Sequence, residues 1–371
     1  MKFTCEKALL CEAINNVLPA VSSKSTLIAL EGILISCKNQ ELTCTSYNLE
    51  LGISKTIEVQ SSEDGAVILN ASLLSNIVNK MPNGMVTITC DEKLLTVISC
   101  NEVEFTILGL NAAEFPDIPA VEGDQSFSLP AFLLKSMISK TLFAISQNDQ
   151  NPVHTGSLFD LNDGILHVVS VDGYRLAMRK EKINLMNQLK FVVPGKTLSE
   201  IVKLLSKITG DDDDDQVGVH VSKKHICFSV GGYQVISRLL EGEFINYKNA
   251  IPKESLTTVQ VETKAFLDSI NRASIIINER AKSHIRCSFL DSEIKVFCET
   301  ALGKISDSVH ASCDGPEVVI GFNNRYMADA LKACECENIC LRMNGPISPI
   351  KIEPIDDDSF LYLVLPVRLN S

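Results

Sequence analysis

Six segments of the chain carry apolar residues at the i, i+3 and i+4 spacing that is typical of amphipathic helices. The segments Phe3–Leu18 and Phe127–Leu142 match one another at an offset of 124 residues, with large apolar residues at corresponding positions. Part of the same pattern returns around Phe266 and Ile270. The same helix is therefore predicted three times, and this internal repeat is the strongest signal in the sequence.

A second predicted helix is repeated in the same order along the chain. Its three copies are Ile68–Met81, Val192–Leu205 and Val319–Cys334. In each copy a capping or turn residue separates a short apolar strand from the helix that follows. These residues are Asn70, Pro194 with Gly195, and Asn323.

Alternating apolar and polar residues between the helices predict antiparallel strands, as on either side of the turn Asn162-Asp163-Gly164. Acidic linkers that contain proline follow the first two repeats, and the third repeat simply ends. We therefore expect an α+β protein of three tandem pseudo-doubled domains, each with two helices packed on antiparallel sheets. The predicted domains are 1–121, 122–252 and 253–371.

Composition excludes several classes of protein. No stretch approaches the roughly 18 to 20 apolar residues that cross a bilayer. Glu6 and Glu12 interrupt the apolar start of the chain, which argues against a signal peptide. An odd number of cysteines, thirteen, fits a reducing compartment. We therefore expect a cytoplasmic protein.

Cysteine and histidine spacing gives little support for a metal site. The candidate ligands are Cys334, Cys336 and Cys340, His225 with Cys227, and His284 with Cys287. None of these groups has the paired CxxC spacing of a tetrahedral zinc site. We therefore expect buried thiols on strand and helix faces, and no metal.

The chain shows no motif of a known catalytic class. The triplet Gly195–Thr197 resembles the end of a phosphate-binding loop, but Lys190 occupies the position of the glycine that such a loop needs. The acidic run 211–215 is typical of a solvated loop. Asp172 and Arg175 could form half of a catalytic pair, but a β-turn in which Gly173 supplies a special backbone angle is the simpler interpretation. We therefore expect no enzyme and no cofactor.

Charge is distributed unevenly along the chain. The net charge is −12, yet the six predicted helices together carry +5, which leaves −17 on the remainder. Basic helices on an acidic body suit a protein whose helices face phosphates while its outer surface repels them. The alternative is ordinary scatter of surface charge.

Several motifs resemble one family closely. They are SVDGYRLA (170–177), RLLEGEFINYKNAIP (238–252), GFNNRYMADAL (321–331), EFPDIP (114–119) and the ending YLVLPVRL (362–369). The chain resembles the bacterial DNA polymerase III beta subunit, the sliding clamp, over its whole length. This resemblance implies a head-to-tail homodimer that closes a ring around duplex DNA without reading its sequence. It also implies that the ring tethers the replicative polymerase, the clamp loader and other proteins with a clamp-binding motif.

The resemblance assigns roles to three groups of residues. The peptide-binding pocket would comprise His154, Val171, Gly173, Tyr174, Arg175, Leu176, Ile245, Ala250, Tyr326, Ile347, Ser348, Leu363, Leu365, Pro366, Val367, Arg368 and Leu369. Together with the charge pattern, it predicts that the DNA-facing residues are Lys24, Lys80, Lys135, Lys140, Lys196, Lys203 and Arg325. The dimer interface would join Phe105 and Ile107 of one copy to Ile275 and Ile276 of the other.

The sequence departs from the family pattern within the pocket. Tyr174 replaces a usual histidine, Ile245 replaces a common proline, and Asn249 stands at a position that is frequently basic. These substitutions affect the exact shape of the pocket and therefore which peptides it prefers. Two other functions remain open at this point: a repeat scaffold that binds peptides but not DNA, and a hydrolase built around Asp172.

Overall fold

A computed structural model describes residues 1–121, 125–148, 150–183, 185, 188–208, 215–277 and 284–368. The helices in this part of the chain are α1 Lys7–Val17, α2 Ala71–Lys80, α3 Ala131–Ser139, α4 Gly195–Ile208, α5 Tyr247–Ala250, α6 Thr263–Ser274 and α7 Asn324–Ala333. All six predicted helices are present. The short α5 lies in the second linker and carries no helical pattern of its own.

The strands alternate with these helices. They are β1 Lys2–Glu6, β2 Gly32–Lys38, β3 Glu41–Tyr47, β4 Leu51–Glu58, β5 Gln60–Glu63, β6 Gly65–Asn70, β7 Met85–Cys90, β8 Leu95–Cys100, β9 Val103–Leu108, β10 Leu110–Asn111, β11 Gln125–Pro130, β12 Gly156–Asn162, β13 Ile165–Val171, β14 Arg175–Lys182, β15 Leu189–Pro194, β16 Gln216–Val221, β17 His225–Val230, β18 Tyr233–Arg238, β19 Thr257–Glu262, β20 Ile285–Phe289, β21 Glu293–Thr300, β22 Gly303–Asp314, β23 Val318–Phe322, β24 Asn338–Met343, β25 Ile350–Pro354 and β26 Phe360–Val364.

The first predicted helix begins later than its apolar pattern suggests. Phe3 and Cys5 are buried while Lys2 and Glu6 are exposed, which is the alternation of a strand, and these residues form β1. In the second copy Phe127 likewise belongs to β11. A strand therefore leads into each helix, and its apolar residues extend the helical pattern by chance.

Capping asparagines fix where the second helix begins in the first and third repeats. The Asn70 side chain accepts a hydrogen bond from the backbone N–H of Leu73 at 3.0 Å. Asn323 accepts bonds from the N–H groups of Arg325 and Tyr326. Both caps were predicted from the sequence, and each satisfies donors that the helix itself leaves unpaired.

The described chain forms two compact units. Unit 1 comprises 1–134 and 200–239, and unit 2 comprises 135–199 and 240–371. Unit 1 contains an antiparallel sheet of order β5-β1-β7-β8-β9 and a second of order β10-β6-β2-β3-β4-β18-β17-β16-β11. Helices α1 and α2 lie side by side in this unit, where Asn15, Ser75 and Asn79 join them through hydrogen bonds.

Unit 2 contains one long antiparallel sheet of order β15-β12-β13-β14-β26-β25-β24-β19-β22-β21-β20-β23. Phe266 and Ile270 of α6 and Met327 and Leu331 of α7 are completely or almost completely buried against this sheet. Burial of large apolar side chains is the main source of its stability.

The internal repeat is visible in the pairing of strands. In unit 1 Ile53 of β4 pairs with Val235 of β18. In unit 2 Ala177 of β14, which lies 124 residues after Ile53, pairs with Tyr362 of β26. Homologous strands thus pair in the same manner within each unit.

All thirteen cysteines are free thiols, and ten are buried. Burial raises the pKa of Cys44 and Cys287 to about 12, so these thiols are protonated and inert. The described residues contain no group of three or more side chains that could hold a metal ion. No helix in the described ranges is long and apolar enough to cross a membrane.

Candidate functional site

A cavity of about 1180 Å³ opens in unit 2 beside the SVDGYRLA turn. Its wall is formed by the loop after α3, by the turn between β13 and β14, and by the first turns of α7. Four of the residues predicted for the peptide pocket line it: His154, Tyr174, Arg175 and Tyr326. The cavity therefore coincides with one part of the predicted pocket.

The turn between β13 and β14 is held by Asp172. One carboxylate oxygen accepts hydrogen bonds from the N–H groups of Tyr174 and Arg175 at 2.9 and 3.0 Å. Gly173 adopts a φ of 89°, a region that side chains with a Cβ rarely enter. Asn48 makes the equivalent bonds to Glu50 and Leu51 in unit 1. Asp172 thus has the structural role of a turn residue, as the simpler of the two sequence interpretations expected.

The Arg175 guanidinium is engaged within the protein. Its Nε donates to Asp172 Oδ2 at 2.9 Å and its Nη1 donates to Asp329 Oδ2 at 2.7 Å. It also lies 4.5 Å from the ring centre of Tyr326 and 5.4 Å from that of Phe143. Only 10% of the side chain is exposed.

Two tyrosines form an exposed edge of the cavity. The rings of Tyr174 and Tyr326 stack with centroids 6.0 Å apart and an interplanar angle of 24°. Tyr174 is 62% exposed, so most of its ring is free for a ligand. Burial, followed by the nearby Asp172 carboxylate, raises the pKa of Tyr326 above its ordinary value. Such amphipathic rings are common anchors of protein interfaces.

The end of the chain runs beside this turn. Strand β26 pairs with β14, the N–H of Leu365 donates to the Tyr174 carbonyl at 2.9 Å, and the N–H of Val367 donates to the Gly321 carbonyl at 2.8 Å. Leu365 and Arg368 are exposed, while Pro366 and Val367 are half-buried. The predicted pocket residue Leu369 lies outside the described residues.

The remaining predicted pocket residues divide by exposure. Val171, Leu176 and Leu363 are buried in an apolar cluster with Phe244 and Tyr247 of the second linker. Ile245 and Ile347 are exposed, the latter by 82%. Gly173 and Ala250 are exposed and Ser348 is half-buried. The buried residues can thus support a pocket wall, and the exposed ones are free to meet a ligand.

His154 lies where the cavity meets this apolar cluster. Its ring packs edge-on against Phe244, with centroids 5.4 Å apart. Burial lowers the pKa of His154, so the imidazole is neutral near pH 7. Its Nε2 is buried and has no hydrogen-bond partner within the described residues.

The residues predicted to face DNA differ in the exposure of their side chains and in their ion pairs. Lys24, Lys80, Lys196, Lys203 and Arg325 are exposed and Lys135 is half-buried. Lys203 is paired with Glu200 at 2.8 Å but stays 65% exposed.

Lys140 departs from this expectation. Its side chain is 10% exposed and forms an ion pair with Glu335 at 2.6 Å. A phosphate contact from Lys140 would first require that pair to break, because a partly buried ammonium group is held by its partner. The helical charge pattern alone did not reveal this partner, which lies 195 residues away in the sequence.

Each unit presents a strand edge near the residues predicted for the dimer interface. Strand β9 ends its sheet, and its Phe105 and Leu108 are exposed. In unit 2 the segment Gly303–His310 of β22 pairs with β21 on one side, and no strand in the described ranges pairs with its other side. Ile275 is 78% exposed, whereas Ile276 packs partly against the core.

Comparison with known proteins places these features in one family. The family models of the DNA polymerase III beta subunit match in sequence order: the N-terminal domain at residues 1–119, the central domain at 128–246 and the C-terminal domain at 248–368. The chain belongs to the DNA polymerase III beta subunit family. The family and the three-domain α+β fold predicted from the sequence are confirmed.

Individual members of the beta subunit family agree over the full chain. The beta sliding clamp of Halalkalibacterium halodurans is 33% identical, over 99% of this chain and 100% of that protein. The crystal structure of the DNA polymerase sliding clamp from Bacillus subtilis is 32% identical and superimposes with a TM-score of 0.95 over 100% of both chains. A sliding clamp from Pseudomonas aeruginosa bound to griselimycin is 26% identical, with a TM-score of 0.93 over 100% of both chains.

Proposed function

We propose that this chain is the subunit of a sliding clamp, a processivity factor that encircles duplex DNA and tethers the replicative polymerase to it. The observation that carries this proposal is the match of three consecutive family domains, together with full-length relatives named beta sliding clamp. The domains are 1–121, 122–252 and 253–371, and the protein works in the cytoplasm. It has no catalytic activity of its own and needs no cofactor.

Two strand edges that are unpaired within the described part of the chain support the proposed closure of a ring. In a head-to-tail dimer the edge of β9 in one copy meets the Gly303–His310 edge of the other, with Phe105 and Ile107 facing Ile275 and Ile276. Unpaired strand edges that carry exposed apolar residues favour pairing with a second chain. A head-to-tail contact between different surfaces closes a ring when the rotation between copies allows it.

The DNA-facing surface consists of the helices and the loop that contains Lys24. Lys24, Lys80, Lys135, Lys196, Lys203 and Arg325 supply loose, sequence-independent contacts to phosphates. Lys140 contributes mainly to the ion pair with Glu335. Loose phosphate contacts let the ring slide, since they carry no sequence information.

The tether is the peptide site beside the SVDGYRLA turn. Exposed Tyr174, Ile245, Ile347 and Leu365 receive the large apolar side chains of a partner peptide. The partners are the polymerase catalytic subunit, the clamp loader and other proteins that carry a clamp-binding motif. The Pseudomonas aeruginosa clamp bound to griselimycin supports the presence of a ligand site in this family.

Primer extension tests this function directly. A single primer on a long single-stranded circle is extended by the replicative polymerase and clamp loader, with enough competitor DNA to trap polymerase that dissociates. The chain is expected to lengthen the products greatly, and heat-denatured chain serves as the control. Products of equal length with and without the chain would contradict the proposal.

A further inference from the structure

Arg175 is the most constrained charged side chain at the cavity. It makes two charge-assisted hydrogen bonds, to Asp172 and Asp329, and its guanidinium packs on the rings of Tyr326 and Phe143. A planar guanidinium is suited to bonding in its plane and stacking on its faces at the same time. Two of its five N–H donors are therefore bonded to carboxylates, and its plane is packed against aromatic rings, all within the protein.

These contacts join parts of the chain that are far apart in sequence. Asp172 belongs to the turn between β13 and β14, Asp329 lies on α7, and the separation of Arg175 from Asp329 is 154 residues. Phe143 lies in the loop after α3. Arg175 thus connects three of the segments that line the cavity.

Releasing Arg175 toward a ligand would be costly. Asp172 is 11% exposed and Asp329 is 28% exposed, so both carboxylates would lose a bonded cation in a partly desolvated place. The single positive charge of Arg175 is already shared by two carboxylates, so an acidic group on a ligand would meet a cluster in which negative charge is in excess. Breaking a buried charge pair costs more than forming an exposed one repays.

The tyrosine pair depends on this arrangement. Tyr174 directly precedes Arg175, and Tyr326 lies one helical turn before Asp329 on α7. One ring comes from the turn and the other from the helix, so the position of the turn against the helix sets their stacking. The same tyrosines form the exposed edge that a partner peptide would touch.

We propose that Arg175 is a positioning residue of the peptide site: with Asp172, Asp329 and Phe143 it fixes the Tyr174–Tyr326 edge, and its charge is paired with the two aspartates and not with a charged group of the peptide. This inference rests on the proposed function and assigns Asp329 and Phe143 to the site. It gives Arg175, which the sequence places in the peptide-binding pocket, the role of holding that pocket in shape.

Two peptides separate positioning from direct contact. Both are fluorescent, carry the same two large apolar anchor residues, and differ only in one aspartate that becomes asparagine in the second. Arg175→Gln is expected to weaken both peptides by the same factor, about tenfold, which corresponds to ~1.4 kcal/mol. An ion pair between Arg175 and the peptide would instead weaken the acidic peptide alone, and that result overturns the inference.

Asp329→Asn gives a second test with little risk to folding, because this side chain is partly exposed. It is expected to weaken both peptides, and the Arg175→Gln/Asp329→Asn double variant is expected to be little weaker than either single one, since both disrupt one unit. Asp268→Asn is the matched control, because Asp268 is an exposed helical aspartate paired with Lys264. Unchanged affinity in Asp329→Asn would contradict the positioning role.

Hydrogen exchange in the free protein supplies a readout that does not depend on the ligand. Arg175→Gln and Asp329→Asn are expected to speed exchange of the Tyr174 and Arg175 amides, and Arg175→Lys is expected to restore part of the protection. Unaltered exchange at the turn would overturn this inference but would not affect the proposed peptide site. Wild-type protein that binds neither peptide would overturn the proposed peptide site, and this inference with it.

Discussion

At the scale of single residues, the half-buried His167 links the stability of the fold to pH. His167 lies on β13 opposite Asp160, and its buried Nδ1 has no partner within the described residues. Burial lowers the pKa of His167 and outweighs the opposing effect of Asp160. Below pH ~6.5 the unfolded chain therefore takes up the proton more readily than the folded one.

His167→Gln tests this link. The free energy of unfolding of the wild type is expected to fall as the pH drops from about 7 through 6.5. In the variant the slope of this free energy against pH should be smaller, by an amount that corresponds to at most about one bound proton. Urea unfolding at several pH values measures it. His220→Gln changes an exposed histidine and serves as control. Parallel curves for His167→Gln and wild type would contradict the prediction.

Residue roles could be predicted only where they depend on local sequence. The turn formed by Asp172 and Gly173 and the caps Asn70 and Asn323 follow from the preferences of those residue types. The engagement of Lys140 depends on a partner far along the chain, which no local pattern reveals. The same holds for Arg175 and its partner Asp329.

At the scale of elements, the caps make a direct prediction about α7. Asn323→Ala removes the side chain that accepts hydrogen bonds from the first turn of this helix, and the free energy of unfolding is expected to fall by about 1 kcal/mol. Asn323→Ser keeps a hydrogen-bond acceptor and should retain most of this free energy. Chemical denaturation compares the three proteins, and equal loss in both variants would contradict a capping role.

The tail after β26 is the second element with a distinct prediction. Deleting 366–371 removes the chain that bonds to Gly321 but leaves Tyr362 and the rest of β26 in the core. Affinity for a clamp-binding peptide is expected to fall by roughly 30-fold, as for the loss of a buried anchor worth about 2 kcal/mol. Deleting only 370–371 is the control and should have little effect. Equal affinity for the longer deletion and the intact protein would remove the tail from the site.

Elements were predicted well because helical and strand periodicity are local. All six helices of the repeat were expected, whereas β1 and β11 were merged with the helices that follow them. The reason is that Phe3 and Phe127 fit both periods over so short a segment. The order of strands in the sheets could not be predicted from local sequence, because pairs such as β14 with β26 join segments that are distant in sequence.

At the scale of the whole molecule, the proposed dimer interface makes a prediction about mass in solution. Ile275 is the sharper test position, because it is highly exposed while Ile276 also contributes to the core. Ile275→Asp is expected to yield folded monomers of about 40.6 kDa where the wild type sediments at twice this mass. Ile28→Asp, at another exposed isoleucine, is the control. A full dimer in Ile275→Asp would place the interface elsewhere.

Encirclement of DNA is the central claim, and retention on circular DNA tests it most directly. The chain, labelled with a fluorophore and assembled by a clamp loader on a nicked circular duplex, is separated from free protein by gel filtration in moderate salt. We expect it to elute with the circle and to be released when one restriction cut makes the DNA linear, because a ring can slide off an end. Ile275→Asp should not be retained on either form. Retention that survives linearisation, or no retention on the intact circle, would contradict the account.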